Sequence, residues 1–133
     1  MKEVVEVPIQ EESDILRARQ EGRAFALAMG FGGADVARIA TAISELARNI
    51  YQYALPGLIR IRKVQVGRRV GVEIVAEDQG PGIPNLEEAL RNGYTTSQGL
   101  GIGLPGTRRL MDEFHIESAV GKGTRVTVRK WLA

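Results

Sequence analysis

Residues 58–82 read LIRIRKVQVGRRVGVEIVAEDQGPG, and this stretch decides what kind of fold the chain can adopt. Its second half alternates through Val70, Val72, Ile74 and Ala76, the period of a strand with one buried face. Its first half carries Ile59 and Ile61 and then shifts phase to Val64 and Val66, which predicts a strand over Leu58–Val66 with a bulge. Gly67-Arg68-Arg69 between them reads as a hairpin. Strands joined so tightly are antiparallel, which argues against the repeated βαβ unit of a doubly wound sheet. The stretch ends in Asp78-Gln-Gly80-Pro-Gly82, a carboxylate at a strand terminus followed by a glycine turn.

Upstream, Val4–Ile9 reads as a strand, and Ser13 or Asp14 can cap a helix running to about Met29, broken by Gly30-Phe-Gly-Gly33. A second helix spans about Ala34 to Ala54 and stops at Pro56-Gly57. Its apolar stripe is Val36, Ile39, Ile43, Leu46, Ala47 and Ile50, while Glu45 and Asn49 share roughly the opposite side. Downstream, the pattern predicts a short helix at about Leu86–Arg91, a glycine-rich polar stretch over 92–103, and a helix from about Pro105 to Phe114. Strands over about His115–Val120 and Arg125–Trp131 meet at Gly121-Lys-Gly123. The order β-α-α-β-β-α-α-β-β is an α+β layout, with helices on one face of the sheet.

The 133 residues fit one domain, expected over 1–133. Hydrophobic residues make up 44% and charged ones 26%, the balance of an ordinary globular chain. A net charge of +2 gives no global electrostatic case for nucleic acid. With no cysteine there are no disulfides, zinc-thiolate sites or thiol nucleophiles. No apolar run is long enough to span a bilayer and no signal-peptide core opens the chain, so no membrane partner and a cytoplasmic location are expected. His115, the single histidine, opens a predicted strand and supports no triad or metal site. Arg60, Arg62, Lys63, Arg68 and Arg69 read as a basic, solvated sheet edge.

Four motifs carry chemistry. Asp78 could accept the exocyclic amine of adenine, with Gly80 and Gly82 letting base and ribose approach the backbone; alone, the motif reads equally as a turn. Glu45 and Asn49 could supply a proton acceptor and a carbonyl ligand for magnesium, or simply form a solvated helix face. Gly99-Leu-Gly101-Ile-Gly103 precedes a helix and could surround phosphate oxygens with backbone amides, or act as a hinge. Gly101-Ile-Gly103-Leu-Pro-Gly106 also matches a dinucleotide fingerprint, but a polar loop rather than an apolar strand precedes it. Gly121-Lys-Gly123-Thr124 is a hairpin that could bring the Thr124 hydroxyl to the adenine edge.

The ordered set Glu-x-x-x-Asn, Asp-x-Gly-x-Gly, Gly-x-Gly-x-Gly, Gly-x-Gly-Thr resembles the GHKL ATPases, across about Val4 to Trp131. The short length resembles the anti-sigma-factor serine kinase branch. Residues 94–106, from Tyr94 to Gly106, and Arg109-Leu-Met-Asp-Glu-Phe114 resemble the switch-protein kinases of the stressosome. The resemblance implies a two-layer α/β sandwich (the Bergerat fold), with a mixed, mostly antiparallel sheet and ATP under a lid matching residues 92–103. It implies that Asp78 binds the adenine amine, that Gly80, Gly82, Gly101 and Gly103 shape pocket and lid, and that Asn49 binds Mg2+. Glu45 is then the base that activates a serine or threonine hydroxyl of a STAS-domain protein. A PP2C-type phosphatase is the implied second partner, and an anti-sigma factor that sequesters a sigma subunit is the alternative. Between Arg91 and Arg108 there is no basic side chain, so γ-phosphate stabilisation falls to Gly99 and other backbone amides, magnesium, Thr95, Thr96 or Ser97, or a residue elsewhere.

Overall fold

The alternation across residues 57–78 does produce a hairpin. In the computed structural model, which describes residues 3–80 and 103–133, β2 (Gly57–Val66) turns through Gly67 into β3 (Arg69–Asp78). Around this hairpin lie β1 (Val4–Ile9), α1 (Ser13–Met29), α2 (Gly33–Tyr53), α3 (Gly103–Leu110), β4 (Glu113–Ala119) and β5 (Gly123–Trp131). The sheet order is β1-β2-β3-β5-β4. Each of the four pairings is antiparallel. The helix expected over 86–91 lies outside the described residues.

One face of the sheet carries Val7, Ile9, Ile59, Ile61, Val72, Ile74, Ala76, Val126 and Val128, all buried. The α2 stripe of Val36, Ile39, Ile43, Leu46, Ala47 and Ile50 joins them in one core, with Phe25 and Ala26 from α1. Each fully buried Ile or Leu stabilises the fold by about 1.5–3 kcal/mol relative to exposure. Helix α1 ends in a Schellman motif. Gly30 takes φ 99°, its N–H bonds to Leu27 O at 3.1 Å, and Phe31 N–H bonds to Ala26 O at 3.2 Å. Asp14 does not cap α1 in the expected way. Its Oδ2 reaches back to the N–H groups of Gln10 (2.9 Å) and Glu11 (3.1 Å), and these bonds hold its pKa below the usual carboxylate value.

Three other expectations change. The β2–β3 register runs without interruption from Gly57↔Asp78 to Val66↔Arg69, so there is no bulge. The phase shift at Val64 has another cause. Val64 pairs with Gly71, which pairs with Trp131, and these make a small apolar row on the face away from the helices. A side chain at position 71 would run into the Trp131 ring, and Arg69 stacks on that ring with its guanidinium carbon 4.1 Å from the centroid.

Arg60 and Arg62 are not on a sheet edge, because β2 lies between β1 and β3. They belong to an ionic lattice on the outer face. Arg60 bonds Glu6 at 2.9 Å and Glu77 at 3.1 Å. Arg62 and Arg129 hold the two oxygens of buried Glu73 at 2.7 and 2.8 Å. Burial raises the Glu73 pKa, but the two guanidinium partners outweigh it and hold the group below its ordinary value.

Finally, α3 stops at Leu110 rather than Phe114, and β4 starts at Glu113. Lys130 Nζ caps the Leu110 carbonyl at 2.9 Å, and Asp112 N–H joins Arg129 O at 2.9 Å, so the chain enters the sheet there. Phe114 then packs on the core from β4.

Candidate nucleotide site

The strand register lines up Gly57, Asp78, Thr124 and Ser118 across one end of the sheet, on the helix-covered face. Asp78 is held there by backbone. Its Oδ1 accepts the N–H of Gly80 at 2.9 Å and that of Thr124 at 3.2 Å. Burial pushes the Asp78 pKa up, and these two bonds oppose the rise. Oδ2 has no hydrogen bond to a described residue. A desolvated carboxylate with one oxygen fixed and one left over suits an amine donor.

The start of β5 is built around this carboxylate. Gly123 has φ 92°, and a Cβ there would fall on the Asp78 carbonyl oxygen. Only glycine allows that backbone approach. The Thr124 hydroxyl, expected at the adenine edge, bonds Ser118 Oγ at 2.8 Å on this same row, while Ser118 Oγ also donates to Gly123 O at 3.2 Å.

Helix α2 brings the second motif to this end. Side chains at positions 57 and 80 would run into Ile50 and Ala54, so the last turns of α2 stand against the strand ends that carry Asp78. Asn49 precedes Ile50 and is half-buried. One turn earlier, Glu45 is buried at 6% exposure, and its Oε1 accepts Arg48 Nη1 at 2.8 Å. Glu45 also borders a groove of about 480 Å3 between α1 and α2, with Arg48, Arg19, Ser44 and Tyr51. Ser44 Oγ is buried without a partner among the described residues.

Helix α3 packs on α2. It starts at Gly103, φ 65°, whose carbonyl accepts the hydroxyl of fully buried Thr107 at 3.0 Å. The structure therefore sets the C-terminal turns of α2, the helix that carries Glu45 and Asn49, against the strand ends that carry Asp78, Gly80 and Thr124, and Gly103 opens the helix packed on α2. Gly82, Thr95, Thr96, Gly99 and Gly101 lie outside the described residues. Asn49 offers a hard carbonyl oxygen, and no cluster of three or more His, Cys, Asp or Glu stands ready to hold a metal among the described residues. A magnesium ion here fits as one shared with phosphate oxygens. His115 is exposed and bonds Glu117 at 3.1 Å, away from the site.

Sequence reasoning passed over Arg48, Gly123 and Ser118. Arg48 stands inside the Glu45–Asn49 motif and Gly123 inside Gly121-Lys-Gly123-Thr124, so both were within view. Ser118 had no signal, because only the β4–β5 register reveals it.

Comparison with known proteins agrees with this geometry. Residues 9–130 match the histidine kinase-like ATPase domain. The chain is 55% identical over 126 residues to the serine/threonine-protein kinase RsbT of Bacillus subtilis, covering 95% of each chain. It is 33% identical over 104 residues to an anti-sigma F factor of Caldanaerobacter subterraneus subsp. tengcongensis, covering 74% of this chain and 71% of that one. Among solved structures, a Mycobacterium tuberculosis protein with RsbU and RsbW domains superposes at TM-score 0.64 and 19% identity. That match takes in 97% of this chain, which spans about a third (32%) of the mycobacterial one. At such identity it speaks for the fold alone. With a half-buried carboxylate at a strand end, a Glu/Asn helix packed against that end and a matching profile over nearly its whole length, the chain belongs to the histidine kinase-like ATPase domain family, the GHKL group.

Proposed function

We propose that this chain is an ATP-dependent protein serine/threonine kinase that phosphorylates STAS-domain proteins. In the same reading it is a partner switch that activates a PP2C-type phosphatase when released, and it works in the cytoplasm as one domain over 1–133. The observation that carries it is the placing of buried Glu45 one turn before Asn49, on the helix that abuts the Asp78 end of the sheet. The 55% identity to a serine/threonine kinase over 95% of both chains supports the reaction class.

The residues divide the work. Asp78 Oδ2 accepts the adenine amine, and the backbone bonds to Oδ1 keep the carboxylate aimed. Asn49 offers its carbonyl oxygen to magnesium, which when bound neutralises phosphate charge. Glu45 takes the proton from the acceptor hydroxyl as that oxygen attacks phosphorus; general bases of this kind contribute about 10²–10⁴-fold. Gly103 opens the helix whose N-terminus favours phosphate charge.

The test is incubation with γ-labelled ATP, magnesium and a candidate STAS protein, followed by mapping of the labelled residue. Glu45→Ala lowers transfer by at least about 100-fold and leaves ATP affinity within about twofold. Equal loss of both would remove the base role. A second reading, an anti-sigma factor, is favoured by the 33% identity to an anti-sigma F factor over 74% of the chain. Co-purification with a sigma subunit instead of STAS proteins would establish it.

A further inference from the structure

Phosphoryl transfer builds negative charge on oxygens around phosphorus, and a positioned cation is worth about 10³–10⁵ in rate where one is supplied. No basic residue lies between Arg91 and Arg108, so the stretch expected to cover the phosphates supplies none. The structure offers a cation from another direction. Arg48 lies in sequence between the proposed base Glu45 and the proposed magnesium ligand Asn49, and its Nη1 is 2.8 Å from Glu45 Oε1 in the groove between α1 and α2. The two side chains are 33% and 8% exposed, so the pair is partly shielded from water. A second cation, Arg19 of α1, lines the same groove, but it is Arg48 that bonds Glu45.

Resting on the kinase reading, we propose that Arg48 is a further catalytic residue of the transfer. It holds the Glu45 carboxylate before reaction and passes to the transferred phosphoryl group as that carboxylate takes up its proton. In the step, the acceptor O–H bond breaks and its proton goes to Glu45. The acceptor oxygen forms a bond to the γ-phosphorus. The bond from that phosphorus to the β,γ-bridging oxygen breaks, and its electron pair leaves with ADP.

Protonation makes Glu45 neutral and ends its attraction for Arg48, whose guanidinium stays charged throughout. The Glu45–Arg48 pair therefore goes from net zero to net positive just as the phosphoryl oxygens need compensation. A planar guanidinium can meet two of those oxygens at once, which an ammonium cannot. Coupling the cation to the base in this way frees positive charge only when the attacking hydroxyl has been deprotonated.

The experiment compares the full chain with Arg48→Met and Arg48→Lys. Four quantities are measured: magnesium-ATP affinity, magnesium-ADP affinity with and without aluminium fluoride in the presence of acceptor, transfer rate, and melting temperature. Arg48→Met is expected to keep ATP affinity within about threefold, to lower kcat by at least about 100-fold, and to lose the extra affinity that aluminium fluoride confers on ADP. Arg48→Lys is expected to recover part of both losses. In a Glu45→Gln background, where the neutral side chain no longer holds the guanidinium, Arg48→Met is expected still to lower the residual kcat by at least about tenfold.

An unchanged kcat, or an unchanged aluminium fluoride effect, overturns the proposal. So does a fall in ATP affinity and melting temperature that accounts for the whole loss of rate, which marks a structural pair. Should Arg48→Met not fold, Arg48→Lys decides by the same two readouts. Wild-type protein that binds ATP but labels no acceptor sinks the kinase reading itself, a result distinct from a normal rate in the Arg48 variants.

Discussion

Replacing Gly123 by alanine tests whether the start of β5 is shaped to hold Asp78. Two costs add. The backbone at φ 92° is outside the range that L-residues favour, a penalty of about 1–2 kcal/mol. The new Cβ would also fall on the Asp78 carbonyl oxygen, close to Gln79 Cα, and forced overpacking costs about 1–3 kcal/mol. The sum is about 2–5 kcal/mol, or a Tm lower by roughly 6–20 °C for a chain of this size. Gly121→Ala is the control. Its φ is 77°, but nothing lies within 4 Å of an added Cβ, so it bears only the first cost. Thermal melts of both variants, with ATP affinity measured alongside, separate strain from contact. Gly123→Ala also displaces the carboxylate that Thr124 N–H holds, so its ATP Kd rises by about tenfold, while that of Gly121→Ala stays within about twofold. Equal Tm losses, or a destabilised Gly123→Ala with normal ATP affinity, would refute the argument that this glycine exists for Asp78.

Other outcomes follow from the same structure. Asp78→Asn keeps an oxygen for the Gly80 and Thr124 N–H groups, so the fold persists while ATP affinity drops by more than about 100-fold, since an amide cannot replace the charge; calorimetric titration reads this. The raised Asp78 pKa means the proton is favoured in the folded state, so its charged form weakens the fold at neutral pH and this penalty lifts as pH falls through the raised value. ATP affinity runs the opposite way, declining on acidification before an ordinary carboxylate would titrate. Glu73 has the reverse sign. Its folded pKa lies below 4.5, so its contribution is full above that value and is lost as pH falls below it towards the folded pKa. Glu73→Gln should flatten this acid limb in urea melts between about pH 5 and pH 2, and should cost about 1–3 kcal/mol at neutral pH because the exposed sides of Arg62 and Arg129 can still hydrate.

Much of the molecule was legible because periodicity is a local property. The six apolar positions of α2 and the alternation of β3 each name their own buried face. The errors came where the decisive partner lies far along the chain. Arg60 and Arg62 look like a free basic edge until Glu6, Glu73 and Glu77 arrive from neighbouring strands. Val64 looks like a bulge until Trp131 arrives 67 residues later, across Gly71. Phe114 extends the helical stripe of α3 until Lys130 caps Leu110. At the site, Glu45, Asn49 and Asp78 were readable as side chains with chemistry. The groups that orient Asp78 are backbone N–H donors of Gly80 and Thr124, which every sequence has and none advertises. Arg48 was missed for another reason. The proposed cation was expected in the glycine-rich stretch, and not on the helix bearing the proposed base.

The packing of Trp131 has a practical consequence. It is the chain's single tryptophan, and it sits on the outer sheet face opposite Gly71, under the Arg69 guanidinium. Gly71 and Asp78 are seven residues apart on β3, about 23 Å of extended strand. Intrinsic emission from this indole therefore reports whether the sheet is assembled and is blind to what occupies the far end, so unfolding curves can be recorded with nucleotide present and need no correction for its binding signal.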